Sequence, residues 1–334
     1  MTQHTALVDG FGRRIDYLRL SVTDRCNFRC IYCMNEKAKF LCKAHVLSLE
    51  ELAQVGRSFV RLGVKRIRLT GGEPLVRSNV LKLVQELGEL KSQGLQELTM
   101  TTNGSQLQRF SKPLRQAGLD RLNISLDTLK TSRFRFLTRR GKLTEILSGI
   151  DAACAAGFTR IRLNIVVMKG RNWDEVEDMV DFATERALDL CFIEEMPIGG
   201  LKYRELSETY VSNEQVLERL RRRFPLIPSP SSTGGPARNF RIPGQAIRIG
   251  FISPHSHRFC STCNRVRVSA DGRLFLCLGS EESIDLRHVI RQNSGDSSRV
   301  EAALIEAIGR KPECHQFTLS SAPRTGRLMN MTGG

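Results

Sequence analysis

The sequence predicts an α/β protein built on parallel βα units. Three observations carry this: six short β-rich runs between residues 16 and 195, longer segments of helical period between them, and a glycine closing helix after helix. The runs are DYLRLSV (16–22), VKRIRLT (64–70), LQELTMTTN (95–103), DRLNISL (120–126), RIRLNIVV (160–167) and LDLCFIEEM (188–196). Between them, LSLEELAQVGRSFVRLG from Leu47 and NVLKLVQELGELKSQG from Asn79 repeat apolar residues every three or four positions, as a helix with one buried face does. Gly63, Gly94, Gly118 and Gly157 mark the helix stops. Six units are too few for a closed eightfold barrel, so periodicity leaves both an open doubly wound sheet and a partial barrel standing.

After residue 198 the pattern changes. A helical stretch, Asn213 to Arg223, gives way to FPLIPSPSSTGGPARNFRIPG (224–244), whose prolines, serines and glycines suggest a boundary or an exposed crossing loop. NRVRVSADGRLFLCL (264–278) then reads as strand, turn, strand around Asp271-Gly272. A last helix, Ser298 to Gly309, precedes the weakly periodic tail SSAPRTGRLMNMTGG. The expected division is 11–225 and 226–334.

The totals bound the function. At 334 residues, 40% hydrophobic and 26% charged, the chain is long enough to bury a substantial core and is ordinary for a globular protein. No apolar run approaches the roughly 20 residues of a membrane span, and the N-terminus lacks the charged and apolar regions of a secretory signal. A cytoplasmic protein without membrane contact is expected. Lys and Arg number 51 against 35 Asp and Glu, a net charge of +16, which calls for an anionic partner without naming one.

Six of the ten cysteines fall into two groups. Cys26, Cys30 and Cys33 follow the first strand in a C-x-x-x-C-x-x-C spacing, on the loop where parallel βα folds place their chemistry. Cys260, Cys263 and Cys277 flank the predicted hairpin. Each group has three thiols, whereas structural zinc sites and ordinary cysteine-held clusters use four ligands. A cubane cluster on three cysteines keeps one iron open to a substrate. Taken alone, the second group fits zinc as well as iron, with His255, His257 or Cys314 as a fourth ligand; for the histidines, a loop or surface position is the preferred reading.

The first triplet, with Tyr32 before its last cysteine, and TGGEPL (70–75) resemble the radical S-adenosylmethionine superfamily. YLRLSVTDRCNFRC, RIRLTGGEPLVR, TTNG, NISLDTL, FIEEMP, FCSTCNRVRVSADGRLFLCL, KPECHQF and the Gly-Gly tail narrow the resemblance to the GTP 3′,8-cyclase family of molybdenum cofactor biosynthesis, from about residue 11 onward. This resemblance implies a partial (β/α)6 TIM-like barrel with a C-terminal α+β extension carrying a second cluster. It implies one 4Fe-4S cluster on Cys26, Cys30 and Cys33, whose open iron takes S-adenosylmethionine, and another on Cys260, Cys263 and Cys277, whose open iron meets the guanine of GTP. Tyr32, Gly72, Ser125 and Met196 are then expected around S-adenosylmethionine, and Arg19, Arg68, Thr101, Arg162, Arg265 and Arg267 around GTP. Planar, multi-donor arginines suit a triphosphate.

The implied reaction begins when an electron cleaves the sulfonium carbon–sulfur bond. The 5′-deoxyadenosyl radical takes hydrogen from the ribose 3′ carbon, and the resulting radical adds to guanine carbon 8. Arg265, Arg267 and the tail glycines Gly333 and Gly334 are implied to support this catalysis. The implied partners are an electron donor and the next enzyme, which makes cyclic pyranopterin monophosphate; nucleic acid is not among them, and a homodimer is left open. On their own strands Arg19, Arg68 and Arg162 could face either a lumen or solvent, although three on three strands favour an anion-lined interior.

Two departures stand out. The family more usually has Arg where this chain has Cys191 and Pro where it has Asn35, and the loop 36–45 is lysine-rich with an extra Cys42. The rival readings are another radical S-adenosylmethionine enzyme with an auxiliary cluster, acting on a peptide or nucleotide, and a zinc-ribbon nucleic-acid-binding protein.

Overall fold

The computed structural model describes residues 6–158, 160–198, 203–230, 234–292, 296–315, 317 and 326–333, without the side chains of 203–205. Six βα units alternate as expected: β1 (Tyr17–Ser21), α1 (Leu49–Arg61), β2 (Arg66–Thr70), α2 (Val80–Glu89), β3 (Glu97–Thr102), α3 (Leu107–Gln116), β4 (Arg121–Ser125), α4 (Thr131–Thr138), α5 (Leu143–Ala155), β5 (Ile161–Val167), α6 (Val176–Glu185) and β6 (Asp189–Glu194). After them come α7 (Tyr203–Thr209), α8 (Asn213–Arg221), β7 (Ile227–Pro228), β8 (Arg238–Arg241), β9 (Arg248–Ile252), β10 (Arg265–Val268), β11 (Arg273–Phe275), β12 (Ser283–Asp285), α9 (Leu286–Gln292), α10 (Ser297–Gly309) and α11 (Met329–Thr332).

Local chemistry explains the boundaries. Ser48 and Glu51 cap α1 reciprocally, the Ser48 hydroxyl accepting from the Glu51 N–H and the Glu51 carboxylate from the Ser48 N–H. Gly63, Gly94, Gly118 and Gly157, the predicted stops, all take left-handed backbone angles that side chains resist.

All strands lie in one sheet, in the order β12-β11-β10-β1-β2-β3-β4-β5-β6-β9-β8-β7. From β10 to β9 every neighbouring pair is parallel. The two ends of this run do not pair among the described residues, so the architecture is a partial barrel with an opening. β9 and β10 are successive in sequence yet sit at opposite ends of the parallel run, so residues 253–264 cross from one end to the other. The sequence predicts six strands up to residue 196 and two more at 264–278, matched by β10 and β11, and treats 224–244 as a loop or boundary. In fact β7 and β8 lie within that segment and belong to the same sheet, because Leu226, Phe240 and Ile242 bury their side chains.

The two faces of the sheet have opposite chemistry. Leu18, Leu20, Ile67, Leu69, Leu98, Met100, Leu122, Ile124 and Leu163 point one way and are fully buried. They share one core with Phe59 of α1, Leu83 and Leu87 of α2, Leu114 of α3 and Ile150 of α5. Alternation then sends the residues between them, Arg19, Arg68, Thr99, Thr101, Asn123 and Arg162, to the other face, away from the helices. This places the arginines inside the barrel. Leu69→Ala is expected to cost about 2–5 kcal/mol in denaturant unfolding of the metal-free protein; a loss below about 1 kcal/mol would show that this face does not carry the core.

Candidate active site

Cys26, Cys30 and Cys33 lie on the loop beyond the C-terminal end of β1. The loop is held by its backbone: the Arg29 and Ile31 amides donate to the carbonyls of Thr138 and Leu137, and the Cys33 and Met34 amides to that of Cys30. Burial pushes the Cys26 thiol up to about 11 and the Cys33 thiol to about 12. Cys30 is raised well above the ordinary value by burial and then by Cys33. Three half-buried thiols gathered on one loop are unfavourable as thiolates unless a metal centre balances them, a donor set suited to iron and sulfide. Among the described residues no three His, Cys, Asp or Glu side chains converge on a single ion; a cubane spreads its ligands around a larger body.

The TGGEP loop packs against this loop. The Gly72 and Glu73 amides donate to the carbonyls of Thr23 and Arg25, both at 2.8 Å. A Cβ on Gly72 would lie 2.4 Å from the Arg25 carbonyl oxygen and 2.7 Å from that of Asp24, with no flexible atom to yield. The glycine is therefore required first by the approach of two backbone loops, one of which leads into Cys26. Glu73, which the sequence reading passed over, is fully buried. It accepts from the Thr102 hydroxyl and the Leu75 and Asn103 amides, while burial raises its carboxyl to about 7.

Tyr32 donates its hydroxyl to Asp127 at 2.7 Å, and Asp127, raised by burial to about 6, also accepts from the Val166 amide. Asp127 was likewise unforeseen. Ser125 ends β4 on the polar face, and Met196 lies half-buried just past β6. All four residues expected at S-adenosylmethionine thus sit at the C-terminal end of the barrel, with the first triad.

Within the barrel, in-register pairing lines up cations. Arg267 is opposite Arg19, and Arg19 is opposite Arg68. Burial, then Arg267 and Arg68, lower the Arg19 pKa well below the ordinary value; burial, then Arg265, bring Arg267 to about 10. Arg68 is steadied by Thr99 at 3.3 Å, by the Tyr17 ring, and by Asn123, whose amide, assigned the orientation that satisfies both of its ends, accepts on its oxygen from both terminal nitrogens at 2.7 and 3.0 Å. Several donors in this wall are buried without a partner: Arg19 Nε, the Thr70 and Thr101 hydroxyls, and Arg162 Nε and Nη2, the last 4.0 Å from Asp189. Buried orphan donors, guanidinium nitrogens among neutral hydroxyls, fit an anion with many acceptor oxygens.

Cys191 faces the same space, its thiol raised by burial, on the rung between Asn164 and Gly250. Below it Asp189 is ion-paired with Arg248 at 2.6 Å. Asn35 and Cys42 lie on the exposed side of the loop that follows the first triad.

The second triad is at the opposite end. Cys260 and Cys263 precede β10, and Cys277 follows antiparallel β11, so all three gather at the end where β1 begins. Arg265 stacks on Phe259 and brings Nη2 within 3.8 Å of Cys263 Sγ. Burial pushes Cys263 up, but Arg265 and Lys311 outweigh it and leave the thiol below its ordinary value. Cys277 is raised, by burial first. His255 packs edge-on against Tyr210, and Cys314 is exposed.

The tail closes the space between the triads. The Met329 amide donates to the Cys33 carbonyl at 3.3 Å, and the Asn330 side chain to the Asp24 carbonyl at 2.9 Å. Gly333 then accepts on its carbonyl from Arg19 at 3.4 Å and Arg267 at 3.3 Å. Its φ is 77°, and a Cβ there would lie 2.6 Å from the Thr70 hydroxyl and 2.9 Å from Ser21 Cβ, so only glycine fits. Gly334 lies outside the described residues.

Residues 20–183 match the Radical SAM superfamily, and 188–317 match Molybdenum Cofactor Synthesis C. The GTP 3',8-cyclase of Pseudomonas entomophila is 54% identical over 330 residues, covering 98% of each chain. That of Marinobacter nauticus is 52% identical over 330 residues, covering 99% of each. Streptococcus suis SuiB bound to S-adenosylmethionine superposes with a TM-score of 0.60 over 91% of this chain and 77% of its own. At 14% identity that likeness is one of fold.

The crowded arginines yield an opposed pair of effects. Arg19→Met is expected to raise the unfolding midpoint of the ligand-free protein by relieving repulsion, and to weaken inorganic tripolyphosphate binding on the order of tenfold. A lower midpoint with unchanged tripolyphosphate affinity would contradict this placement.

Proposed function

The chain belongs to the GTP 3′,8-cyclase family of radical S-adenosylmethionine enzymes, and on that footing we propose how its residues divide the work. It is a cyclase of molybdenum cofactor biosynthesis, converting GTP to (8S)-3′,8-cyclo-7,8-dihydroguanosine 5′-triphosphate. One observation carries the residue-level reading: two three-thiol sites stand at opposite ends of a lumen whose wall is a run of arginines, with buried nitrogens of Arg19 and Arg162 left without a hydrogen-bond partner.

Cys26, Cys30 and Cys33 hold the 4Fe-4S cluster of the family, and Tyr32, Gly72, Ser125 and Met196 shape the S-adenosylmethionine pocket beside it. When bound, cluster and S-adenosylmethionine supply the electron and the 5′-deoxyadenosyl radical. Gly72 sets the spacing of the two loops, and Tyr32 fixes one wall through Asp127. Cys260, Cys263 and Cys277 hold a second 4Fe-4S cluster, and the guanine of GTP lies toward it.

Arg19, Arg68, Thr101, Arg162, Arg265 and Arg267 grip the nucleotide. Five residues of β1, at about 3.3 Å each, separate the lumen ends by on the order of 15 Å, a length that a nucleotide reaching from one end and a cofactor from the other can bridge. Gly333 narrows the lumen over the substrate while already bonded to two of the gripping arginines, and Gly334 supports catalysis with it. The tail also excludes water and so protects a reactive radical.

Residues 11–225 supply the six βα units of the S-adenosylmethionine barrel and 226–334 the auxiliary-cluster portion, whose β9 and β10 extend the same parallel run. An electron donor and the enzyme that forms cyclic pyranopterin monophosphate are the partners, a homodimer is compatible with the reading, and the setting is cytoplasmic. Among the described residues no helix is long and apolar enough to cross a membrane.

The test is anaerobic incubation of cluster-loaded protein with dithionite, S-adenosylmethionine and GTP. Formation of 5′-deoxyadenosine and the cyclised nucleotide is expected. Arg265→Ala and Arg267→Ala each lower kcat/KM on the order of 10- to 100-fold with iron and sulfide content unchanged. Loss of iron in these variants would mean that they hold structure rather than substrate, and turnover with a peptide but not GTP would overturn the substrate.

A further inference from the structure

Lys311 follows α10 and is 2% exposed. Its ammonium donates to the Arg265 carbonyl at 3.1 Å and to the Leu276 carbonyl. Arg265 is two residues past Cys263, and Leu276 directly precedes Cys277. One side chain therefore ties β10 and β11 together at the end that carries the thiols. Among the described residues Lys311 is bonded to no carboxylate. The neighbouring buried cation differs: Arg13 donates to the carbonyls of Cys260, Pro312 and Glu313, but its charge is answered by Asp9 at 2.6 Å.

A buried ammonium with no acid partner is costly, so its site favours an anion. The two carbonyls that hold Lys311 belong to the residue two past Cys263 and to the residue directly before Cys277, so the ammonium is fixed beside the three-thiol site. A dipositive 4Fe-4S core held by three thiolates is a monoanion, and gaining one electron makes it a dianion. A fixed cation stabilises the second state more than the first.

We propose that Lys311 is the internal counter-cation of the second three-thiol site, joining its two strands and favouring the cluster's reduced form. It is a positioning residue that touches neither substrate nor iron, and the inference rests on the second-cluster reading above.

The test is a redox titration followed by electron paramagnetic resonance, on anaerobically loaded protein as wild type, Lys311→Met and Lys311→Arg, with iron and sulfide counted in each. The second cluster is identified by its response to GTP and the first by its response to S-adenosylmethionine. In Lys311→Met the GTP-responsive signal is expected to shift to a more negative midpoint, or that cluster alone to be lost, and Lys311→Arg restores it, with the first cluster unmoved. Equal midpoints in all three fully loaded proteins would overturn the inference, as would equal loss or shift of both clusters, the mark of a general structural role. A wild type with no GTP-responsive cluster would overturn the second-cluster reading itself, an outcome already visible before any variant is compared.

Discussion

The structure depends on mutual repulsion held in place. Arg267, Arg19 and Arg68 occupy neighbouring positions across three parallel strands; burial and the charges of both neighbours work against Arg19, and burial and Arg265 against Arg267. They stay because the opposite face of those strands is a continuous apolar core against the helices, and strand alternation leaves no other direction. The core thus supports an anion site that is unfavourable when unliganded. A polyanionic substrate relieves the strain that the fold imposes, so part of the stability given up in the apo state returns as binding.

The rest of the site follows from how the two ends of the lumen are built. At the C-terminal end, two loops approach so closely that Gly72 has no room for a side chain, which fixes the path into Cys26. At the other end, the hairpin of β10 and β11 brings Cys263 and Cys277 together and is closed by Lys311. Because β10 pairs with β1, the second triad and the first stand on adjacent strands at opposite ends, and Gly333 reaches between them to Arg19 and Arg267.

Much of this was legible in the sequence. The six βα units announce themselves through period and glycine stops, and the cysteine triplets through spacing. The arginines were visible as residues, but not their direction: alternation gives two faces, and only the packed helices say which is inside. β7, β8, β9 and β12 escaped because their runs are only two to five residues long, with Pro and Gly in or beside the first three, and the partner that ties β7–β9 to the parallel run, β6, is distant in sequence. Glu73, Asp127, Asn123 and Lys311 carry no local pattern at all. Their roles come largely from partners tens of residues away in sequence, as in the Tyr32–Asp127 and Arg68–Asn123 contacts. The lysine in KPECHQF resembles any surface lysine until its ammonium is found between two strand ends.

The central claim is that two open three-thiol sites face one lumen, one for S-adenosylmethionine and one for substrate. Mössbauer spectroscopy of isotopically enriched, anaerobically reconstituted protein tests it most directly. Two 4Fe-4S clusters are predicted, each with one distinct iron, S-adenosylmethionine altering the distinct iron of one and GTP that of the other. A single cluster, or two whose irons are all indifferent to GTP, would contradict the account.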